Sequence, residues 1–197
     1  MDIVCLDLEG VLVPEIWVEF AKVTGIDELR ATTRDISDYD VLMQQRIEIL
    51  RQHKLTVDRI QTVIASLTPL DGAVQFLEQL RARAQVVILS DTFYEFAQPL
   101  MLQLGSPTLL CHRLAIDKNS MITGYHLRQT DPKRKSVIAL QSLNYTVRAA
   151  GDSYNDITML EQADRGVLFH SPDSIAAEYP QFMRAMSYDQ LLQKLFE

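Results

Sequence analysis

Short apolar runs separated by segments of helical periodicity dominate the pattern of this 197-residue chain. Residues 3–6 and 85–89 are almost continuously apolar, as expected of strands that are buried on both faces of a parallel sheet. Further strands are predicted at residues 108–112, 145–150 and 166–169. Because helical segments alternate with these strands, the chain is predicted to have an α/β fold with a doubly wound parallel sheet.

The stretch between the first two strands contains helical patterns only. They predict helices at residues 14–25, 39–53 and 57–66, with Pro14 at the first helical position. We therefore divide the chain into an α/β core, residues 1–13 and 71–197, and an inserted small helical cap, residues 14–70. The core is further predicted to contain a hairpin at residues 113–128 and helices at residues 73–83, 94–104, 154–163 and 188–196.

Arg46 disturbs the amphipathic pattern of the predicted helix 39–53. At about 100° per residue it lies at the centre of the apolar face, where a solvated cation does not belong. Its charge can be explained by snorkelling or by a buried structural ion pair. We favour a guanidinium that faces a cleft and binds a carboxylate or phosphate with two hydrogen bonds.

Composition narrows the class of protein. An apolar fraction of 47% and a charged fraction of 23% are those of an ordinary soluble globular protein. The net charge of −7 argues against binding to nucleic acid or to an anionic membrane. Cys5 and Cys111 lie in apolar runs and are predicted to be reduced core residues. No signal peptide or long apolar run is recognised, so we expect a cytoplasmic protein.

Polar residues follow the predicted strands at the ends where doubly wound sheets bind ligands. Asp7 and Glu9 follow the first strand at alternate positions, so both carboxylates point the same way. Ser90 and Asp91 follow the second strand, and Asp152 follows the strand at 145–150. Clustered carboxylates need a counter-charge. Oxygen ligands without paired Cys or His indicate Mg²⁺ rather than zinc.

A basic first turn opens the helix predicted after residue 131. Asp131 is predicted to be its N-cap, Pro132 its first residue, and Lys133, Arg134 and Lys135 follow. Three cations at this end oppose the helix dipole, which is expected if they hold an anion together with the exposed N–H groups. An exposed basic turn is the alternative.

Several other polar residues have structural explanations. Asp156 lies three residues after Ser153, a spacing typical of a capping box. Glu15 falls in the first turn of the first predicted helix, where dipole compensation and a role in substrate binding are weighed evenly. No paired metal-ligand spacing involves the four histidines, which are predicted to be packing or surface residues: His53, His112, His126 and His170.

Four segments in order resemble the motifs of the haloacid dehalogenase (HAD) superfamily: Asp7-Leu8-Glu9-Gly10-Val11, Ser90, Lys133 and Gly151-Asp152-Ser153-Tyr154-Asn155-Asp156. The resemblance covers nearly the whole chain, and the helical insert is similar to the cap of phosphoserine phosphatases. It implies a HAD-like, Rossmann-type core, Mg²⁺ as cofactor and catalysis through an aspartyl-phosphate.

The resemblance also implies the roles of individual residues. Asp7 matches the nucleophile, and Glu9 matches the general acid/base. The predicted metal residues are Asp7, Glu9 and Asp152, with Asp156 supporting them. The predicted substrate-binding residues are Glu15, Arg46, Ser90, Asp91, Lys133 and Asn155. Among these, Glu15 and Arg46 match the cap residues that bind the substrate's amino and carboxylate groups.

Two departures from the usual pattern distinguish the chain. Glu9 stands where most HAD phosphatases have Asp, and Asp91 follows Ser90 where phosphoserine phosphatases have Gly. With residues 13–15 and 91–96, these departures resemble bifunctional phosphoserine phosphatases that also act as homoserine phosphotransferases. The resemblance implies phosphoserine as the small-molecule substrate and homoserine as a second acceptor besides water.

Other functions stay open at this point. A HAD phosphatase for another small phosphomonoester has the same motifs. A receiver-like signalling module also presents acids, a hydroxyl and a Lys on a doubly wound sheet, although it needs no cap. A phosphate-binding protein without activity is a third alternative. The oligomeric state is undetermined, with a homodimer as one alternative.

Overall fold

One sheet forms the centre of the structure, a computed structural model that describes residues 1–32, 35, 36 and 38–197. In the described residues its strand order is β4-β3-β2-β1-β5-β6-β7, and only the β3–β4 pair is antiparallel. The strands are β1 (Asp2–Leu6), β2 (Gln85–Phe93), β3 (Thr108–Ile116), β4 (Ile122–His126), β5 (Thr146–Gly151), β6 (Arg165–Phe169) and β7 (Met183–Ala185).

The central strand β1 explains why the first apolar run is so strongly hydrophobic. It pairs in parallel with β2 on one side and β5 on the other. Its alternate side chains enter two separate cores: Val4 and Leu6 lie in one, and Ile3 and Cys5 lie in the other. Both faces of the strand are therefore buried from Ile3 to Leu6, which favours apolar residues at these four positions.

Helices cover both faces of the sheet. They are α1 (Ile16–Thr24), α2 (Tyr39–Gln52), α3 (Val57–Ala65), α4 (Ala73–Arg81), α5 (Tyr94–Gln103), α6 (Pro132–Ser142), α7 (Ile157–Gln162), α8 (Asp173–Glu178) and α9 (Tyr188–Phe196). The two 3₁₀ helices of the described residues are Asp27–Arg30 and Tyr154–Asp156. The apolar faces of α4, α5 and α9 enter the larger core, whereas α6, α7 and α8 contribute to the smaller one.

The predicted fold class is confirmed, while some element boundaries differ. Strand β2 continues through polar residues to Phe93, because Phe93 pairs with His112 of β3 after a register shift. Helix α1 begins at Ile16, so Pro14 lies before the helix rather than at its first position. The short elements α8 and β7 carry too few residues to show a period and were not predicted.

Asp131 occupies the predicted N-cap position of α6, with Pro132 as the first helical residue, but its side chain does not cap the helix. It has a left-handed backbone with φ of 50°, and its side chain makes no capping hydrogen bond. Its Oδ1 instead accepts a hydrogen bond from Thr158 Oγ1 at 2.9 Å. The carboxylate is therefore used to join α6 to α7.

The helical insert lies between β1 and β2 in sequence and contacts the β3–β4 hairpin in space. The backbone N–H of Val57 donates to Ser120 O at 2.8 Å, and the ring of Tyr39 packs edge-on against Tyr125. Within the predicted cap, residues 33, 34 and 37 lie outside the described part of the chain. The division into core and cap stays a prediction.

Candidate active site

Asp7 follows β1 directly and is held at the carboxyl edge of the sheet. Its side chain is buried, and its backbone N–H donates to Ala150 O at 3.0 Å. The chain then turns sharply, since the N–H groups of Leu12 and Val13 both donate to Leu8 O. The turn keeps Asp7 next to the end of β5, as predicted from strands that end at the same edge.

Lys133 is the buried cation of this region. Its Nζ lies 2.9 Å from Asp7 Oδ1, 2.7 Å from Asp156 Oδ1 and 3.7 Å from Asp91 Oδ2. Although burial opposes its charge, Asp156 and Asp7 together raise the pKa of Lys133 well above its usual value. The ammonium is therefore permanently charged, and it is fixed by carboxylates that come from three parts of the chain.

The basic turn that contains Lys133 does not act as a unit. Lys133 is 2% exposed, but Arg134 and Lys135 are exposed on the helix surface. Arg134 donates to Gln162 Oε1 and lies near Asp131. Of the three predicted anion-binding cations, the structure directs only Lys133 into the site.

Asp7, Asp152 and Asp156 form an acidic cluster in which one carboxylate oxygen of each lies within 4.8 Å of the others. Asp156 is fully buried, and its Oδ2 accepts from the backbone N–H groups of Asp152 and Ser153 at 3.0 and 3.1 Å. The predicted capping box is thus confirmed. The same bonds fix the backbone of Asp152 beside Asp7.

Two glycines make room for these acids. A Cβ atom on Gly10 would lie 2.5 Å from Asp152 Cγ, and one on Gly151 would lie 2.3 Å from Asp156 Cγ. Both distances are shorter than any van der Waals contact between carbon atoms. The close approach of backbone and carboxylate therefore requires glycine at both positions.

The electrostatics of the acidic cluster fit a divalent cation. Burial and the charge of Asp156 raise the pKa of Asp7 well above its usual value, and the same causes raise the pKa of Asp152 to about 7. Lys133 offsets only part of the negative charge. Carboxylate oxygens at these separations are the hard ligands that Mg²⁺ prefers, so Asp7, Asp152 and Asp156 can hold that ion.

Glu9 lies beside the acidic cluster rather than among its three converging carboxylates. Its Oε2 accepts from the backbone N–H of Ile16 at 2.8 Å. Burial and the neighbouring charge of Glu15 raise the pKa of Glu9 to about 7, a value suited to an acid that also acts as a base. Its assignment as a metal residue stays a prediction.

A cavity of about 150 Å³ opens over Asp7 and collects the predicted site residues. All of them except Lys133, which contacts Asp7 and Asp91 from the protein interior, line this cavity: Asp7, Glu9, Glu15, Arg46, Ser90, Asp91, Asp152 and Asn155. Ser90 is buried, and its Oγ accepts from the N–H of Thr92 at 3.2 Å. The cavity therefore joins the acids of the core with side chains of the predicted cap.

Arg46 reaches the cavity from the buried face of α2, as the helical pattern predicted. Its guanidinium carbon lies 4.4 Å from the centre of the Trp17 ring, and Nη2 donates to Ala31 O at 2.8 Å. Burial lowers the pKa of Arg46 to about 10, so the side chain is still charged at neutral pH. A buried cation at the wall of the cavity is the arrangement expected for binding an anionic group.

His112 is a site residue that sequence reasoning missed. It is buried, and its Nε2 lies 3.6 Å from Asp91 Oδ1, while its Nδ1 accepts from the N–H of Arg128 at 3.0 Å. On its other side, Asp91 Oδ2 accepts from Asn155 Nδ2 at 3.0 Å. Only the pairing of β2 with β3 brings residues 91 and 112 together, and no local spacing signals it.

No helix in the described residues is long and apolar enough to cross a membrane. The buried cysteines Cys5 and Cys111 are both free, in agreement with the prediction of reduced core residues.

Comparisons with known proteins agree with this geometry. A family model of haloacid dehalogenase-like hydrolases matches residues 1–164. Phosphoserine phosphatase ThrH of Pseudomonas aeruginosa is 64% identical over 97% of this chain and 93% of its own length. A phosphoserine phosphatase of Pseudomonas syringae pv. tomato is 63% identical over 97% and 81%.

Among solved structures, a phosphoserine phosphatase in its apo form superposes with a TM-score of 0.79 at 19% identity, covering 98% of both chains. The likeness shows a shared fold. The membership in a hydrolase family favours the enzyme prediction over a receiver-like signalling module. On the family model and the two close relatives, the chain belongs to the haloacid dehalogenase-like hydrolases.

Proposed function

We propose that this protein is a Mg²⁺-dependent phosphoserine phosphatase that works through an aspartyl-phosphate on Asp7 and also transfers the phosphoryl group to homoserine. The choice of phosphoserine as the substrate rests on sequence identities of 64% and 63% to two proteins named phosphoserine phosphatase. The geometry supports the chemistry, because the acids and the hydroxyl needed for phosphoryl transfer line one cavity, and the cation Lys133 contacts Asp7 from the protein interior.

In the first step, a carboxylate oxygen of Asp7 attacks the phosphorus of phosphoserine and the bond to the seryl oxygen breaks. Glu9 donates a proton to that oxygen, so serine leaves as the neutral alcohol. Ser90, Lys133 and Asn155 hold the phosphoryl oxygens. Mg²⁺ bound by Asp7, Asp152 and Asp156 would neutralise charge on the phosphoryl group and orient it.

In the second step, an oxygen nucleophile breaks the bond between phosphorus and Asp7. Glu9, now ionised, takes the proton of that nucleophile, and the free Asp7 carboxylate is regenerated. With water as the nucleophile the product is inorganic phosphate, and with the homoserine hydroxyl it is phosphohomoserine. The carboxylate of the amino acid is assigned to Arg46, and its amino group is assigned to Glu15.

The decisive experiment measures both products together. The protein is incubated with phosphoserine and Mg²⁺, with and without homoserine, and ³¹P NMR follows inorganic phosphate and phosphohomoserine. With homoserine present, we expect both products to form. Without homoserine, we expect inorganic phosphate and no phosphohomoserine. Release of phosphate without phosphohomoserine would remove the transferase part of the proposal, whereas no reaction with phosphoserine would remove the substrate.

Asp7→Asn tests the nucleophile. The amide cannot form the aspartyl-phosphate, so turnover of phosphoserine should fall by roughly three orders of magnitude or more. Asp27→Asn is the matched control, because Asp27 is an exposed acid of the surface 3₁₀ helix that pairs with Arg30. Substantial turnover by Asp7→Asn, with an unchanged melting temperature, would show that another residue accepts the phosphoryl group.

Glu9→Asp tests the departure from the usual motif. Shortening the side chain by one methylene moves the acid away from the acceptor, so the ratio of phosphohomoserine to phosphate should change several-fold. The ratio is read from the same ³¹P spectra at equal consumption of phosphoserine. An unaltered ratio would show that the length of residue 9 does not govern the choice of acceptor.

A further inference from the structure

The carboxylate of Asp91 contacts Asn155 and Lys133, the same two donors that the proposed function assigns to phosphate binding. Asp91 directly follows Ser90, and its Oδ2 accepts from Asn155 Nδ2 at 3.0 Å and lies 3.7 Å from Lys133 Nζ. These two donors therefore contact an anionic oxygen of the protein itself. A bound phosphate must share them with Asp91 or displace it.

His112 lies next to the other oxygen of the same carboxylate. Because His112 Nδ1 accepts the backbone N–H of Arg128, the proton of the neutral ring lies on Nε2, which faces Asp91 Oδ1 at 3.6 Å. The ring is 4% exposed and packs at 6.2 Å from the ring of Phe93. It is thus a fixed ring beside Asp91, slightly beyond hydrogen-bond distance, that lies outside the cavity lining.

Asp91 is able to act on a ligand through its charge. Although burial opposes ionisation, the contacts with His112, Lys133 and Asn155 lower the pKa of Asp91 to about 2. Its side chain is still 35% exposed and lines the cavity beside Ser90. A permanent negative charge at this place repels a phosphate dianion.

We propose that Asp91 is an internal competitor for the phosphate site and that His112 is its anchor. The inference rests on the proposed function, since it takes Asn155 and Lys133 as phosphate ligands. When a phosphoryl group enters, Asp91 releases these donors and keeps its contact with His112. Asp91 lowers the affinity for phosphate anions, so that inorganic phosphate leaves the cavity readily and does not block an amino-acid acceptor, and His112 limits this competition by keeping Asp91 away from the donors.

Substitutions at the two positions should have opposite effects, which separates competition from simple positioning. Asp91→Asn keeps the shape and removes the charge, so the inhibition constant of inorganic phosphate should fall about tenfold. His112→Leu removes the anchor and leaves Asp91 on Asn155 and Lys133, so the constant should rise several-fold. If Asp91 only positioned these donors, both substitutions would weaken phosphate binding.

The anchor role predicts two further results. His112→Gln retains an N–H donor and should keep an inhibition constant close to that of the wild type. The double variant Asp91→Asn/His112→Leu should behave as Asp91→Asn alone, because an anchor without its carboxylate has no effect. Independent, additive effects of the two substitutions would overturn the assignment of His112.

The measurement is competitive inhibition of phosphoserine turnover by inorganic phosphate, repeated as calorimetric titration of phosphate into the Mg²⁺-containing protein. Asp27→Asn removes one surface charge and controls for net charge. Melting temperatures show that each variant is folded. The wild type is expected to turn over phosphoserine and to bind phosphate. If it does both, but Asp91→Asn leaves the inhibition constant of phosphate unchanged or raises it, only this inference fails. If the wild type does neither, the proposed function fails and the inference falls with it.

Discussion

At the scale of single residues, Arg46 has the most informative surroundings. Its guanidinium is buried against Trp17 and bonds to one carbonyl, yet it makes no ion pair within the described residues, and its Nε has no hydrogen-bond partner there. A buried charge is costly unless it is paired. At a binding site, the free-energy cost of burying the charge is offset when a ligand supplies the counter-charge. This argument favours the cleft-facing Arg46 over the snorkelling alternative.

Arg46→Ala should therefore raise the KM for phosphoserine by roughly 10- to 100-fold, the effect of losing charge-assisted hydrogen bonds, with a smaller change in kcat. Steady-state phosphate release measures both constants. Phosphoethanolamine, which lacks the carboxylate, is the matched control substrate, and the wild type and Arg46→Ala should turn it over equally. An unchanged KM for phosphoserine would place Arg46 outside substrate binding.

At the scale of elements, the turns that follow the strands carry the site, and Gly10 shows how. It has a φ of +75°, and a Cβ atom there would overlap the carboxylate of Asp152. Gly25, the residue after α1, has a similar φ of +70° with nothing within 4 Å of such a Cβ. The two glycines share the backbone requirement, and only Gly10 also makes room for an acid.

Gly10→Ala should consequently lose both stability and Mg²⁺ affinity, whereas Gly25→Ala should lose stability alone. The backbone strain is worth roughly 1–3 kcal/mol in either variant. Displacement of Asp152 should in addition raise the Mg²⁺ concentration needed for half-maximal activity about tenfold or more. Urea unfolding and Mg²⁺ titrations of activity measure the two effects. Equal Mg²⁺ requirements in both variants would contradict the packing argument.

The elements also show what sequence can and cannot predict. Strand β1 and helix α9 were predicted with nearly their observed bounds. A strand buried on both faces requires a run of apolar residues, and an amphipathic helix requires apolar residues at helical spacing, so both leave a pattern in the sequence. The meeting of Asp7, Ser90 and Asp152 followed from strand ends alone. The contact of Asp91 with His112 did not, because it depends on strand pairing and a register shift.

At the scale of the whole molecule, the fold brings negatively charged side chains that are far apart in sequence together at one edge of the sheet. The protein carries a net charge of −7, yet three of its acids share one largely buried cluster with Lys133 as their neighbouring cation. Such a cluster is unfavourable in the folded state wherever all of its members are ionised. The acidic cluster is thus a source of instability that either protons or a metal ion can relieve.

The pH dependence of stability should reveal this cost. The folded pKa values of Glu9 and Asp152 are raised to about 7, so the folded protein retains protons that the unfolded chain has already released. In EDTA, this contribution to the free energy of unfolding should be greatest below about pH 4 and should be lost as the pH rises to about 7. Mg²⁺ should restore it, by about 2.7 kcal/mol at a hundred times its Kd.

Calorimetry near pH 5 and near pH 8, with EDTA or with Mg²⁺, measures the effect. At this chain length 1 kcal/mol corresponds to roughly 2–4 °C in Tm, so Mg²⁺ should raise the Tm by about 5–10 °C near pH 8 and by much less near pH 5. Protons compete with the ion at the lower pH, because they neutralise the same oxygens. Asp152→Asn should flatten the pH dependence in EDTA and abolish most of the gain from Mg²⁺. Equal gains at both pH values, or a full gain in Asp152→Asn, would place the metal elsewhere than on the acidic cluster.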